Sequence, residues 1–444
     1  MAVEAKELKF VATEEKGEVS ALLTKPRGVK VLLVTYLVRM GYCCLLIMSL
    51  GMRSDAEDGP SKAWPIHKID DSLAGADGVR LLDVNGDGLM DITTGWEEGD
   101  RTRVYLHPGY DQVKSKWPAV TVGETPSVED AVFVDLDQDG AVDVVSSCEG
   151  KTRCMFVHWA PRDSAEYLNS ELWQTENILA TQDHTQWMFA LPMQIDGQHG
   201  PDLIVGSKGE NGLVGWLQAP ADARDLGAWK LHKLYTAGWI MSLMPEDMDL
   251  DGDLDVVVSD RRKDNRGVLW LENPGETSAK QQWIEHRIGA NGQQVMFLDV
   301  ADLDGDGRKD VVVAVKPDEI HWFRHPGDLS KPWQAHQIRV QLPSGMGTAK
   351  AVRVGDVNQD GRVDIVYSCE QATPPKHGVV WLSSVNTPAD SQWVVNEISG
   401  PVGIKYDRIE LLDLDGDKDL DVLTCEERHE GKGLGVFWYE NPQK

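Results

Sequence analysis

Asp302-Leu-Asp-Gly-Asp-Gly-Arg-Lys-Asp310 runs straight into Val311, Val312 and Val313. Carboxylates at Asp302, Asp304, Asp306 and Asp310, with a backbone carbonyl near Arg308, converge on one hard cation if Gly305 and Gly307 let the chain turn sharply. Oxygen-only ligands at alternating positions favour calcium. Magnesium would want tighter octahedral geometry and more retained water, and no Cys or His stands in the loop to suggest zinc. For a single copy, a metal-free Asp-Gly turn is the competing explanation.

The loop is not a single copy. It reappears as Asp83, Asn85, Asp87 and Asp91; as Asp135, Asp137, Asp139 and Asp143; and as Asp247, Asp249, Asp251 and Asp255. It returns as Asp356, Asn358, Asp360 and Asp364, and as Asp413, Asp415, Asp417 and Asp421, with Lys418 where the others have glycine. A worn copy stands at Gln194, Asp196, Gln198 and Asp202, where two amides replace carboxylates and weaker metal affinity is expected. Successive first positions are separated by 52, 59, 53, 55, 54 and 57 residues, a period that means a solenoid, propeller or array.

Each unit carries four apolar segments: an alternating one entering the loop, a β-branched one leaving it, a third with an internal Trp, and a fourth opening on Trp. Four short strands per repeat, separated by Gly, Pro, Asn and Asp, describe a propeller blade. The sequence therefore predicts an all-β fold, a seven-bladed β-propeller of four-stranded antiparallel blades. A fourth-type segment, Trp64-Pro-Ile-His67-Lys-Ile69, precedes every loop, while the chain stops just after a third-type segment at Phe437-Trp438-Tyr439. The strand near Trp64 is expected to complete the last blade and remove the open sheet edges.

A loop of this kind followed by a β-branched run, at this period, resembles the FG-GAP/VCBS repeat family, over roughly residues 64 to 444. Its members include the integrin α-subunit propeller, fungal lectin propellers and some polysaccharide-lyase propellers. The resemblance implies a propeller fold and about six structural Ca²⁺ sites. It says little about activity, because one fold hosts many.

Composition agrees with a large domain preceded by an appendage. The formal charge of −28 leaves no basic footprint for nucleic acid. The six intact loops hold 22 aspartates at ligand positions, and six bound Ca²⁺ would bring −28 to −16. The expected organisation is an N-terminal extension over 1–56 and the propeller over 57–444. Within the extension, Glu18 to Pro26 faintly resembles the opening strand of an α/β-hydrolase, but no G-x-S-x-G elbow follows anywhere. Val31 to Met52 is apolar except for Arg39. A spanning helix would carry that arginine near its middle, at a cost. A secretory signal places Arg39 as the positive flank, Cys43 to Leu50 as the apolar centre and Ser54-Asp-Ala56 as the cleavage site. A secreted, periplasmic or cell-surface location is expected, with membrane contact only if 31–52 stays as an anchor. The expected state is a monomer. Cys148 and Cys154 flank a short turn where a hairpin disulfide is feasible; Cys369 and Cys425 read as free thiols in core slots.

Loops joining first to second strands all lie on one face of the disk, so ligand chemistry is sought on the other. Thirteen of the 16 Trp residues repeat from blade to blade and read as packing; Trp96, Trp187 and Trp239 do not, and all belong to the face opposite the loops. Exposed aromatics there would stack on sugar rings. His184, Arg261 and Arg408 are candidate ligand-binding residues on that face, beside acids such as Glu97, Glu149, Glu370 and Glu427. The expected function is a binding module for a glycan or an extracellular protein. The alternatives are a polysaccharide lyase using His184, Tyr406, Arg408 or His429 as base and cation, a glycoside hydrolase using two carboxylates among the many acids of that face, and an adhesion repeat without catalysis.

Overall fold

The structure, a computed structural model, describes residues 63–390, 392–427 and 433–442, together with three short strands near the N-terminus. The chain divides into two compact units, Met1–Gly59 and Pro60–Lys444. In the first unit, Ala12–Glu15, Glu18–Ala21 and Val34–Leu37 pair in that order as an antiparallel sheet. Apart from Val34–Leu37, the expected signal or anchor over 31–52 lies outside the described residues, as do Arg428 and His429. Among the described residues no helix is long and apolar enough to cross a membrane.

The second unit is a seven-bladed propeller. Blades 1 to 6 use the strands from Ala76 to Glu397 in chain order, four antiparallel strands each. Blade 5 shows the plan: Val295–Ala301, the loop, Asp310–Val315, Glu319–Arg324 and Gln334–Arg339. Blade 7 combines Tyr406–Leu412, Asp421–Glu426 and Gly435–Tyr439 with Ile66–Asp70 from the start of the unit, which pairs with Gly435–Tyr439 through Tyr439↔Ile66 and Trp438↔His67. Ring closure by the Trp64 segment is therefore observed, and no blade is left without its outer strand.

Second strands are β-branched and buried along their whole length, as Asp310–Val315 shows, because blades cover both faces. The third-strand tryptophans are buried, and in four blades each stacks on a fourth-strand histidine, from Trp270–His286 at 4.1 Å between ring centroids to Trp216–His232 at 4.7 Å. His67, His232 and His286 also pair through Nε2 with Glu440, Gln218 and Glu272. These histidines, which sequence alone leaves as edge decorations, thus tie third strand to fourth. Cys148, Cys154, Cys369 and Cys425 are buried and free; Cys148 and Cys154 meet through the backbone, N–H to O at 3.1 Å, and not through sulfur.

The last aspartate of each loop is a clip. In blade 5, Asp310 accepts from Leu303 N–H at 3.2 Å with one oxygen and from His325 N–H, just past the third strand, at 2.8 Å with the other. Asp91, Asp143, Asp202, Asp255 and Asp421 repeat both bonds, and Asp364 holds Val357 N–H. One buried carboxylate thereby joins the loop to the end of the third strand, and satisfies N–H groups that would otherwise be costly.

At the opposite end of the blades, the pairing of first and second strands slips in register in all seven. The residue skipped is Glu129 in blade 2, Met188 in blade 3, Met241 in blade 4 and Lys350 in blade 6. A bulge re-aims a side chain out of the pleat, and all four line the mouth of the central channel.

Candidate functional site

Two regions concentrate chemistry, one on each face. On the loop face, the carboxylates organise their own turns. Asp302 accepts from Asp306 N–H at 3.0 Å and from Gly307 N–H at 2.8 Å, Asp304 Oδ1 from Asp306 N–H at 3.2 Å, and Asp306 Oδ1 from Arg308 N–H at 3.0 Å. Gly307 has φ 85°, the left-handed conformation this turn needs; Lys418 adopts φ 76° at the equivalent place in blade 7. Asp304 and Asp306 each keep a second oxygen off the backbone. Carboxylate oxygens of Asp302, Asp304 and Asp306 lie within 4.8 Å of one another, as do those of Asp247, Asp249 and Asp251, and of Asp135, Asp137 and Asp143. Prearranged, oxygen-only donors of this kind fit a hard divalent cation.

Not every loop offers the same freedom. Arg324 pairs with Asp304 and Asp306, Arg224 with Asp137, Arg162 with Asp139, Arg362 with Asp360 and Lys114 with Asp415. No ion pair among the described residues touches the loop carboxylates of blades 1 and 4. The last-position aspartates, expected as ligands, spend their oxygens on the clip. Burial lifts Asp91 and Asp310 to about 6 and Asp143, Asp255, Asp364 and Asp421 to about 7.

On the other face, the mouth of the channel forms a funnel of about 250 Å³. Its floor is Met188, Phe189, Met241 and Phe297, with Trp239 on the wall. Seven carboxylates line it: Asp77, Glu97, Glu129, Glu149, Glu370, Asp407 and Glu427. Four cations, Lys208, Arg261, Lys350 and Lys405, stand among them. Lys350 reaches Asp407 at 2.9 Å and Glu427 at 3.3 Å, and Lys405 meets Glu427 at 2.7 Å. Lys208 pairs with Glu129 at 2.8 Å and with Glu149, and Lys316 pairs with Glu370 behind the wall.

These contacts set the titration of the funnel. Burial, reinforced by Asp407 and Glu427, lifts Asp77 far above the usual carboxylate range. Asp407 is held well below that range against its burial, by the Lys350 ammonium and a hydrogen bond with Asp77. Burial, then Glu129 and Glu427, pushes Glu97 up to about 7. Lys350 stays charged against its burial because Asp407 and Glu427 face it, whereas burial pulls Arg261 and Lys316 down.

The sequence-level candidates divide. Trp239 and Arg261 line the funnel. Trp96 and Trp187 do not: both are 0% exposed, with their indole N–H groups donating to Tyr105 Oη and Thr181 O. Reading them as exposed platforms is corrected, because both belong to core clusters shared between blades, Trp96 with Ile69, Ala76 and Val436 and Trp187 with Val157, Ile178 and Leu213. His184 is exposed but stacks on Trp187, outside the funnel lining. Arg408 is buried nearer the loop end of its strand, where Nε donates to Glu410 at 2.7 Å; burial and the nearby Arg80 lower it to about 10. Tyr406 is buried and bonded to Val402 O and Tyr439 Oη, so no base stands there for a lyase. Asp77, Glu129, Lys405 and Phe297 were missed as site residues. Their signal was positional: the second or third residue of each first strand, or the residue just before it. A larger cavity of about 620 Å³ opens between blades 5 and 6, but its arginines, Arg324 and Arg362, are committed to loop aspartates.

Fold and sites together define a seven-bladed propeller with carboxylate loops on one face and a charged funnel on the other. The chain carries FG-GAP-like repeats: the model of that repeat matches residues 83–146, 247–313 and 302–367, each match beginning on the first aspartate of a loop. No curated protein sequence matches the chain as a relative. Solved structures similar to it include YCF48 from Cyanidioschyzon merolae, at 10% identity over 86% of this chain and 99% of that one, with a TM-score of 0.49. Another is BBS1N in complex with ARL6DN, soaked with mercury, at 13% identity over 86% and 98%, TM-score 0.48. Likeness at that level carries no functional weight.

Proposed function

We propose that this chain is a secreted or envelope-associated, calcium-stabilised binding module that takes a carbohydrate in the central funnel. A repeat propeller of this type suits a binding module. The observation that carries the ligand class is the funnel itself: carboxylates and cations converge on a space of monosaccharide to disaccharide scale, with Trp239 as the partly exposed aromatic of its lining. Sugar hydroxyls donate to carboxylates and accept from ammonium groups, while the apolar face of the ring covers aromatic carbon. Calcium belongs to the opposite face, where Asp304, Asp306 and their counterparts would hold it and fasten the turns.

The test is a glycan array with the wild-type chain and with Trp239→Ala. Binding to a defined glycan subset, reduced at least about tenfold by the substitution, is expected, since a stacked aromatic is commonly worth on the order of 1 kcal/mol or more. An empty array, or binding indifferent to Trp239, sinks the proposal.

A further inference from the structure

Charge in the funnel is segregated around the ring. Most of its acids come from blades 7, 1 and 2, namely Asp407, Glu427, Asp77, Glu97, Glu129 and Glu149, with Lys405 of blade 7 among them, whereas blades 3 and 4 supply Lys208 and Arg261, with Arg262 beside them. The cations of the second group gather on one ring: Lys208 Nζ lies 4.4 Å, Arg261 Cζ 4.7 Å and Arg262 Cζ 4.2 Å from the Trp239 centroid.

Most of these charges already have internal partners. Lys208 is committed to Glu129 and Glu149, Lys316 to Glu370, and Lys350 and Lys405 to Glu427. Two funnel-lining charges are left without a hydrogen bond or ion pair from their side chains among the described residues: Glu97 and Arg261. Arg261 Nε is buried with no acceptor at all. They come from blades 1 and 4 of seven, three blades apart around the ring. Glu97 shares its corner with the carboxylates of Glu129 and Glu149, all within 4.8 Å of one another, and Arg261 rests on the Trp239 ring, so an ammonium is favoured at the first and a carboxylate at the second.

We propose that the funnel accepts a small zwitterion, its ammonium group against Glu97 and its carboxylate against Arg261, with the two charges several bonds apart and the intervening chain spanning the funnel between them. The inference rests on the funnel as the ligand seat and narrows the ligand to one bearing both charges, whether an amino- and carboxyl-bearing sugar or a linear ω-amino acid. The ammonium arm carries its own signature. Burial keeps Glu97 partly protonated near neutrality, so binding tightens as pH rises through about 7 and plateaus above it.

The experiment is calorimetric titration of the full chain with ω-aminohexanoate, hexylamine, hexanoate and a neutral hexose oligomer, with Trp239 fluorescence as second readout. The zwitterion is expected to bind at least about tenfold more tightly than either single-charge probe. Glu97→Gln should bring it down to the level of hexanoate, and Arg261→Gln to that of hexylamine. The wild-type comparison decides even if a variant misfolds. Equal affinity for the three linear probes, or variants that fold and change nothing, overturns the proposal. Hexose oligomer binding without any zwitterion binding overturns it while leaving the carbohydrate reading in place; silence with all four probes counts against both.

Discussion

On the loop face, Asp310 finds Leu303 and His325 within 15 residues, and Asp302 finds its partners within five. At the funnel, Lys350 reaches Glu427 across 77 residues, Lys208 reaches Glu129 across 79, and Asp407 takes its N–H from Gly78 across 329. The loop face is built on short closed circuits repeated blade by blade, with a few ion pairs such as Arg224–Asp137 added between blades, whereas the funnel rests on contacts between blades that occur once. The worn loop of blade 3 shows how self-sufficient the first kind is. Gln194 Nε2 donates to Gln198 O at 3.2 Å and to Gly200 O at 2.8 Å, and Gln218 Nε2 donates to Asp196 at 2.5 Å. Amide N–H groups thus stand where a cation would, and Asp202 still clips Ile195 and Ala219. The clip thus persists where two loop carboxylates are replaced by amides.

That contrast can be broken most forcibly at the funnel. Lys350→Met strands Asp407 and Glu427 without their shared cation, and we expect a loss of about 3–5 kcal/mol in urea unfolding, as for other buried pairs cut on one side. A near-neutral result would mean the inter-blade charges do not hold the ring. On the loop face, Asp310→Ala leaves two buried N–H groups unmatched, at about 3 kcal/mol. Asp202→Ala in the worn repeat should cost about as much, and a mild effect there alone would tie the clip to metal after all.

Calcium comes next in size. Melting with and without chelator should separate by about 2.7 kcal/mol for each independent loop held a hundredfold above its dissociation constant. Asp249→Asn in blade 4 should shrink that gap, and Asp196→Asn in the worn loop should leave it untouched. A finer effect distinguishes intact loops from one another. Arg324 competes for the oxygens of Asp304 and Asp306, so Arg324→Gln should raise calcium affinity at blade 5 a few-fold, read by competition with a chromophoric chelator, about 1 kcal/mol or less. The smallest concerns Glu97, which titrates near 7 in the folded chain against an ordinary 4.5. The folded state holds that proton more tightly, so stability is lost as pH climbs from 4.5 to about 7 and stays lost above. Glu97→Gln should match the wild type at pH 4 and exceed it at pH 8 by on the order of 1 kcal/mol, discounted for partial exposure.

Much of this protein was readable before folding was considered. Seven loops, the strand order and the closing strand at Ile66–Asp70 follow from spacing alone, because a blade is stabilised by near neighbours and each repeat states the same local pattern. Trp239 and Arg261 were also legible as positions that break the pattern. Trp96 and Trp187 show the limit: sequence position names the face, but depth depends on what packs against it, and each lies in a core cluster shared with the neighbouring blade. The bulges that turn Glu129, Met188, Met241 and Lys350 into the mouth were invisible, since a slip in register exists only between two paired strands.

By itself, then, the sequence determined the blade, its number, its loop chemistry and its closure, all of them carried by interactions a few residues long. Only the tertiary structure decided which charges meet at the funnel and which two, Glu97 and Arg261, are left without an ion pair among the described residues. Those partners are brought together by closing the ring, and nothing in the local pattern specifies who faces whom across it.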